Sequence, residues 1–121
     1  MAEPYDIDIS DVVDVMAARA KVREIARLRG LGITEQARIA LAASSTADLL
    51  GLGTIRRGQI VIESLEEGNR IGVRVICIAP PDAQRAFTLK ETAITKMLVD
   101  DLLIQGLPSE EISVTLTQWA A

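Results

Sequence analysis

With no histidine and a single cysteine, Cys77, this chain has few groups able to move protons or attack carbonyls. Histidine acid–base catalysis, Ser-His and Cys-His pairs, imidazole zinc sites and thiolate metal clusters are all excluded by composition. Carboxylates, Lys and backbone amides remain. Ser44, Ser45 and Thr46 could be phosphoacceptors or line a polar pocket. Glu110-Glu111 and Asp100-Asp101 could act as acid pairs or cation sites. Arg56-Arg57 could grip an acidic partner surface, and Lys90 could touch a phosphate.

Each candidate also has a plain structural reading. Ser44, Ser45 and Thr46 are small enough to let a helix lie close to a sheet, their hydroxyls bonded to the preceding turn. Asp82 follows Pro80-Pro81 as a turn residue. The paired carboxylates read as solvated element ends. Cys77 sits in an apolar run and reads as a small core residue. Arg56-Arg57 reads equally as surface decoration.

Positioning these residues requires a fold, and hydropathy patterning supplies one. Tyr5 to Ser10 alternates apolar and polar, as a half-buried strand does. Ser10 or Asp11 can cap a following helix. On that helix Val15, Ala18, Val22, Ile25 and Ala26 form one face, ended by Gly30 and Gly32. Arg19, Arg23, Arg27 and Arg29 lie mostly off the face. Thr34 is the expected cap of a second helix, Glu35 to about Leu50, with Ile39, Ala43, Ala47 and Leu50 on one side and Gly51 and Gly53 at its end. Gln59–Leu65 and Ile71–Ile78 read as two strands joined by the hairpin turn Glu66-Glu67-Gly68-Asn69. Pro80-Pro81 stops the second. Asp82–Thr92 has no period and reads as loop or short helix. Ala93 to about Leu103 reads as helix, on Ile94, Met97, Leu98 and Asp101–Leu102. Gly106–Glu111 is a turn, and Ile112–Trp119 alternates as a closing strand. Paired helices with neighbouring strands imply a two-layer α+β sandwich, with a mixed, mostly antiparallel sheet and the helices on one face.

The chain has 121 residues, 49% apolar and 25% charged, which fits one domain over 1–121. Its aromatic residues are Tyr5, Phe87 and Trp119, so the core is built from Val, Ile, Leu and Ala. A net charge of −4 speaks against nucleic acid and against anionic membranes as partners. Met1–Ser10 is acidic and lacks the apolar run of a signal peptide, and Ile39–Ile55 is too polar to span a membrane. A cytoplasmic location is expected.

Several strings, in order, resemble the anti-sigma-factor serine kinases of the histidine-kinase-type ATPase group, whose fold is called Bergerat-like, and in particular the stressosome switch kinases. They are Val12–Arg19, Gly30–Ala40, Gly58–Glu63, Leu98–Asp101 and Val114–Trp119, which together run through most of the chain. The resemblance implies a nucleotide site in which a helical Glu acts as base and an Asn four residues on ligates magnesium. Ser45 and Leu49 stand at those positions here. A serine hydroxyl takes no proton at neutral pH, and leucine offers a hard cation nothing. The family's Asp-x-Gly-x-Gly, which reads adenine, is met by Ala79-Pro80-Pro81-Asp82. Alanine accepts no hydrogen bond, and Pro81 can neither take glycine's dihedrals nor donate an amide. The glycine-rich phosphate lid is replaced by Phe87–Thr92, which has no glycine.

The resemblance therefore implies a scaffold without its chemistry: no cofactor, no catalytic residue, and a protein partner of STAS, phosphatase or sigma-factor type. Two alternatives stand beside it. One is an active ATP- and magnesium-dependent kinase, with Asp48 or Glu91 as base and Asp82 reading adenine. The other is a structural subunit, a homo-oligomer paired through the strand Ile112–Trp119.

Overall fold

The computed structural model describes residues 4–86, 95–107 and 109–121. Strand β1 (Tyr5–Ile9) leads into helices α1 (Val12–Leu28) and α2 (Ile33–Leu50). Strands β2 (Gly58–Glu67) and β3 (Arg70–Ala79) follow as a hairpin. A 3₁₀ turn (Pro81–Ala86) comes next, then β4 (Asp101–Gly106) and β5 (Ile112–Trp119). The sheet order is β1-β2-β3-β5-β4. Every pairing is antiparallel, so the expected parallel component is absent from the described strands.

The first helix begins as its sequence dictates. The Asp11 side chain accepts from the Asp14 amide at 3.0 Å, while the Asp14 carboxylate accepts from the amides of Ser10 and Asp11 at 2.8 and 3.3 Å. This reciprocal arrangement satisfies first-turn donors that have no helical partner. The second helix departs from expectation: Gly32, not Thr34, is its cap. The Glu35 carboxylate takes the Gly32 amide at 3.3 Å, and the Gln36 amide reaches the Gly32 carbonyl at 2.9 Å, which draws Ile33 and Thr34 into the helix.

Both helices end alike. The Leu31 amide bonds to the Ala26 carbonyl and the Leu52 amide to the Ala47 carbonyl, at 3.0 and 2.9 Å, with Gly30 and Gly51 in the left-handed region at φ 86° and 72°. These are Schellman closures, and each tucks an apolar residue, Leu31 or Leu52, into the core.

Helices α1 and α2 pack on each other and on one face of the sheet. That face presents Ile9, Ile60, Ile62, Val73, Val75, Cys77, Ala79, Ile112, Val114 and Leu116, all buried. They meet Val15, Ala18, Val22 and Ala26 of α1, and Ile39, Ala43, Ala47 and Leu50 of α2, the faces that periodicity predicts. The opposite face of the sheet is amphipathic. Glu63 and Arg74, directly opposed on β2 and β3, form an ion pair at 2.6 Å there.

The helix expected over Ala93–Leu103 is corrected in part. Ala93 and Ile94 lie outside the described residues. Met97 and Leu98 form a turn, and Asp101–Leu103 belong to β4, where Leu102 opposes Leu116 and Leu103 opposes Thr115. A short apolar run such as Leu102-Leu103-Ile104 suits either period. The hairpin with β5 decides it, closed by the Leu107 amide on the Glu111 carbonyl and the Glu110 amide on the Leu107 carbonyl, both 2.8 Å. The architecture is a two-layer α+β sandwich. Among the described residues, no helix is long and apolar enough to cross a membrane.

The two helix ends give a graded test. At Gly30 an added Cβ would meet nothing within 4 Å. Gly30→Ala should therefore cost only the left-handed backbone penalty, about 1–2 kcal/mol. At Gly51 the same Cβ would lie 2.7 Å from the Arg56 guanidinium. Gly51→Ala should lose about 1 kcal/mol more, as overpacking adds to strain. Urea denaturation of the two variants checks the order, and equal losses would contradict it.

Candidate functional site

Some of the residues singled out by sequence, Ser45, Leu49, Ala79 and Pro81, belong to the C-terminal half of α2 and to the end of β3 with the turn after it, and the others lie apart from them. Ser45 and Leu49 lie one helical turn apart and are both half-buried. Their neighbours divide. Ser44 bonds its hydroxyl back to the Leu41 carbonyl at 3.1 Å, whereas Thr46 is buried with its Oγ1 unpartnered among the described residues. Asp48 faces solvent.

Strand β3 ends at Ala79, which is fully buried and paired with Ile112. The Pro80 carbonyl then accepts from the Ala83 amide at 3.0 Å, starting the 3₁₀ turn and burying Ala83 as well. A carboxylate at Ala79 would be desolvated without an evident counter-ion, a costly arrangement. Phe87–Thr92, including Lys90 and Glu91, lie outside the described residues.

The pair Arg56-Arg57 separates in the structure. Arg56 is committed to the fold: Nη1 donates to the Leu50 carbonyl at 2.9 Å, Nε to the Asp82 carboxylate at 3.1 Å and Nη2 to the Asp82 carbonyl at 3.3 Å. One planar guanidinium thus ties the end of α2 to the turn after β3. Asp82 is accordingly the acceptor of Arg56. Arg57 is exposed and lines an open cleft of about 360 Å³ together with Asp8, Ser10, Gln59 and Glu111.

The remaining candidates have structural partners. Asp100 accepts from the Trp119 amide at 2.8 Å and from Gln118 at 3.3 Å, pinning the end of β5. Asp101 is exposed on β4. Glu111 accepts from the Ser109 hydroxyl at 2.9 Å, and Glu110 sits at φ 69° in the hairpin turn. Cys77 is buried, and desolvation pushes its thiol up to about 12. Among the described residues, no three Asp, Glu or Cys side chains converge as a metal-holding group.

Sequence reading overlooked one flank of α1. Val12, Met16, Arg19, Arg23 and Arg27 recur at three- and four-residue spacing, with Val13 beside them. Val12, Val13 and Met16 are 52%, 70% and 65% exposed. Arg19, Arg23 and Arg27 are exposed too, and none forms an ion pair among the described residues. The signal was present in the spacing of the arginines. The apolar residues that extend it could be placed only once their exposure was known.

Arg56→Ala should strand the part-buried Leu50 carbonyl, costing about 1–3 kcal/mol in chemical denaturation, while the exposed Asp82 carboxylate returns to water at little further cost. Arg56→Lys should recover only part, since one ammonium cannot serve three acceptors on two elements. Full rescue by lysine would contradict the clamp. Cys77 gives a pH signature. Its thiol ionises from 9.0 upward once unfolded but stays protonated in the fold to about 12. Its contribution is therefore intact below 9 and declines across that window. Stability against pH should fall more steeply between those values for the native chain than for Cys77→Ala.

Compared with known proteins, the chain matches no family model and no curated protein.

Proposed function

We propose that this chain is a non-catalytic regulatory module that binds a protein partner, similar in kind to the anti-sigma switch kinases but without their nucleotide chemistry. The observation that carries this reading is the flank of α1, where exposed Val12, Val13 and Met16 run into Arg19, Arg23 and Arg27, none of them ion-paired among the described residues. Apolar anchors beside a cationic rim are what a protein interface is made from. Arginines four residues apart repel one another by about 0.2–0.5 kcal/mol per pair on a helix. An acidic partner surface would relieve that repulsion and would be steered toward it.

Chemistry supports the same reading from the other side. Ser45, Leu49 and Ala79 supply neither a proton acceptor, nor a hard-cation ligand, nor an acceptor for a purine amino group. The family resemblance points to a STAS-type antagonist, a regulatory phosphatase or a sigma-factor-like protein as partner. Exposed Arg57 offers a further cation to a partner of that character.

Affinity capture from the native host, with and without ATP, tests the proposal. The wild-type chain should retain a protein of one of these three kinds equally in both conditions. A Met16→Asp, Arg23→Glu variant should lose it by about tenfold or more. Capture that requires ATP would favour the active-kinase alternative, and capture indifferent to the variant would remove α1 from the interface.

A further inference from the structure

Strand Ile112–Trp119 cannot pair across an oligomer interface, because β5 is already flanked by β3 and β4. The free edge on that side of the sheet is β4, which pairs only with β5 among the described residues. The two edges of the sheet differ in chemistry. Edge strand β1 carries Asp6 and Asp8 at alternate positions, charges that discourage further pairing. Edge strand β4 reads Asp-Leu-Leu-Ile-Gln-Gly. It has three consecutive aliphatic residues, no proline and no lysine, and its single charge stands at one end.

Both faces of this edge are short of cover. Leu102 and Ile104 oppose Leu116 and Val114 of β5 and so prolong the helix-side core row, yet Ile104 remains 39% exposed. Leu103, on the other face opposite Thr115, is 49% exposed. The strand is also self-complementary. A two-fold axis perpendicular to the sheet and passing through Leu103 sets Leu103 against its copy, Leu102 against Ile104, and Asp101 against Gln105. Residues directly opposed in an antiparallel pair share a face. This register therefore continues the core row from one sheet into the next and keeps the helices of both copies on one side. No carboxylate faces a carboxylate.

We infer that β4 is a homodimerisation edge, pairing antiparallel with β4 of a second copy about Leu103 to form a continuous ten-stranded sheet. A six-residue strand pair is a small interface beside those of permanent dimers, so the association is weak and depends on concentration. It rests on different residues from those of the α1 docking surface and stands or falls separately.

Sedimentation equilibrium over a concentration series tests it. The weight-average mass of the wild-type chain should climb toward twice the monomer mass. Leu103→Lys sets two ammonium groups face to face and should weaken the dimer by about tenfold or more. An unchanged circular dichroism spectrum and melting temperature would show that the variant still folds. Gln105 and Asp101 fix the register. Gln105→Lys, placed opposite Asp101 of the second copy, should tighten association several-fold, and Gln105→Glu should weaken it. Both positions are exposed, so neither change threatens the fold. A chain that stays monomeric throughout, or a dimer indifferent to Leu103 and Gln105, would overturn the inference.

Discussion

The structure depends on how closely α2 can approach the middle of the sheet. The inward row of β3, Val73, Val75, Cys77 and Ala79, is completely buried, and half of the buried residues of α2 are alanine: Ala40, Ala42, Ala43 and Ala47. Small side chains on both sides bring helix and sheet together without aromatic filler, in a chain that has almost none. A close-packed layer of this kind leaves no slack for a bulky or charged insertion. It also explains why both helices must stop where they do. Leu31 and Leu52, turned inward after left-handed glycines, complete the same core.

That constraint bears directly on the corner where α2 meets the end of β3. Ala79 and Ala83 are as buried as the centre of the sheet. The chain leaves the strand through two prolines and is held there by Arg56 rather than by any ligand-directed group. Apart from the buried Thr46 hydroxyl, which has no partner among the described residues, the corner is tied together by Arg56 and Asp82, and the exposed apolar and cationic surface lies elsewhere, on the flank of α1.

Most of the fold was legible in the residues. The strands Gln59–Leu65, Ile71–Ile78 and Ile112–Trp119 and the buried faces of both helices follow from alternation or from three- and four-residue spacing, and each lies within the element observed. The start of α2 was misread because Thr34 is a good cap in isolation, whereas the Glu35 carboxylate selects Gly32. Strand β4 was misread because Leu102-Leu103-Ile104 has no period of its own and takes its conformation from a partner strand. The candidate site was legible only as a list of residue types. That Arg56 turns inward while Arg57 stays outside depends on where Leu50 and Asp82 lie in space, which no local pattern encodes.

The most direct measurement is a ¹⁵N-amide NMR titration of the chain with magnesium and ATP up to millimolar nucleotide. A corner that is packed core should leave the amide signals of Ser45 to Leu49 and of Ala79 to Ala83 where they are. Saturable shifts centred on those residues would mean that a purine enters between α2 and the end of β3, and would contradict the reading of this corner as core.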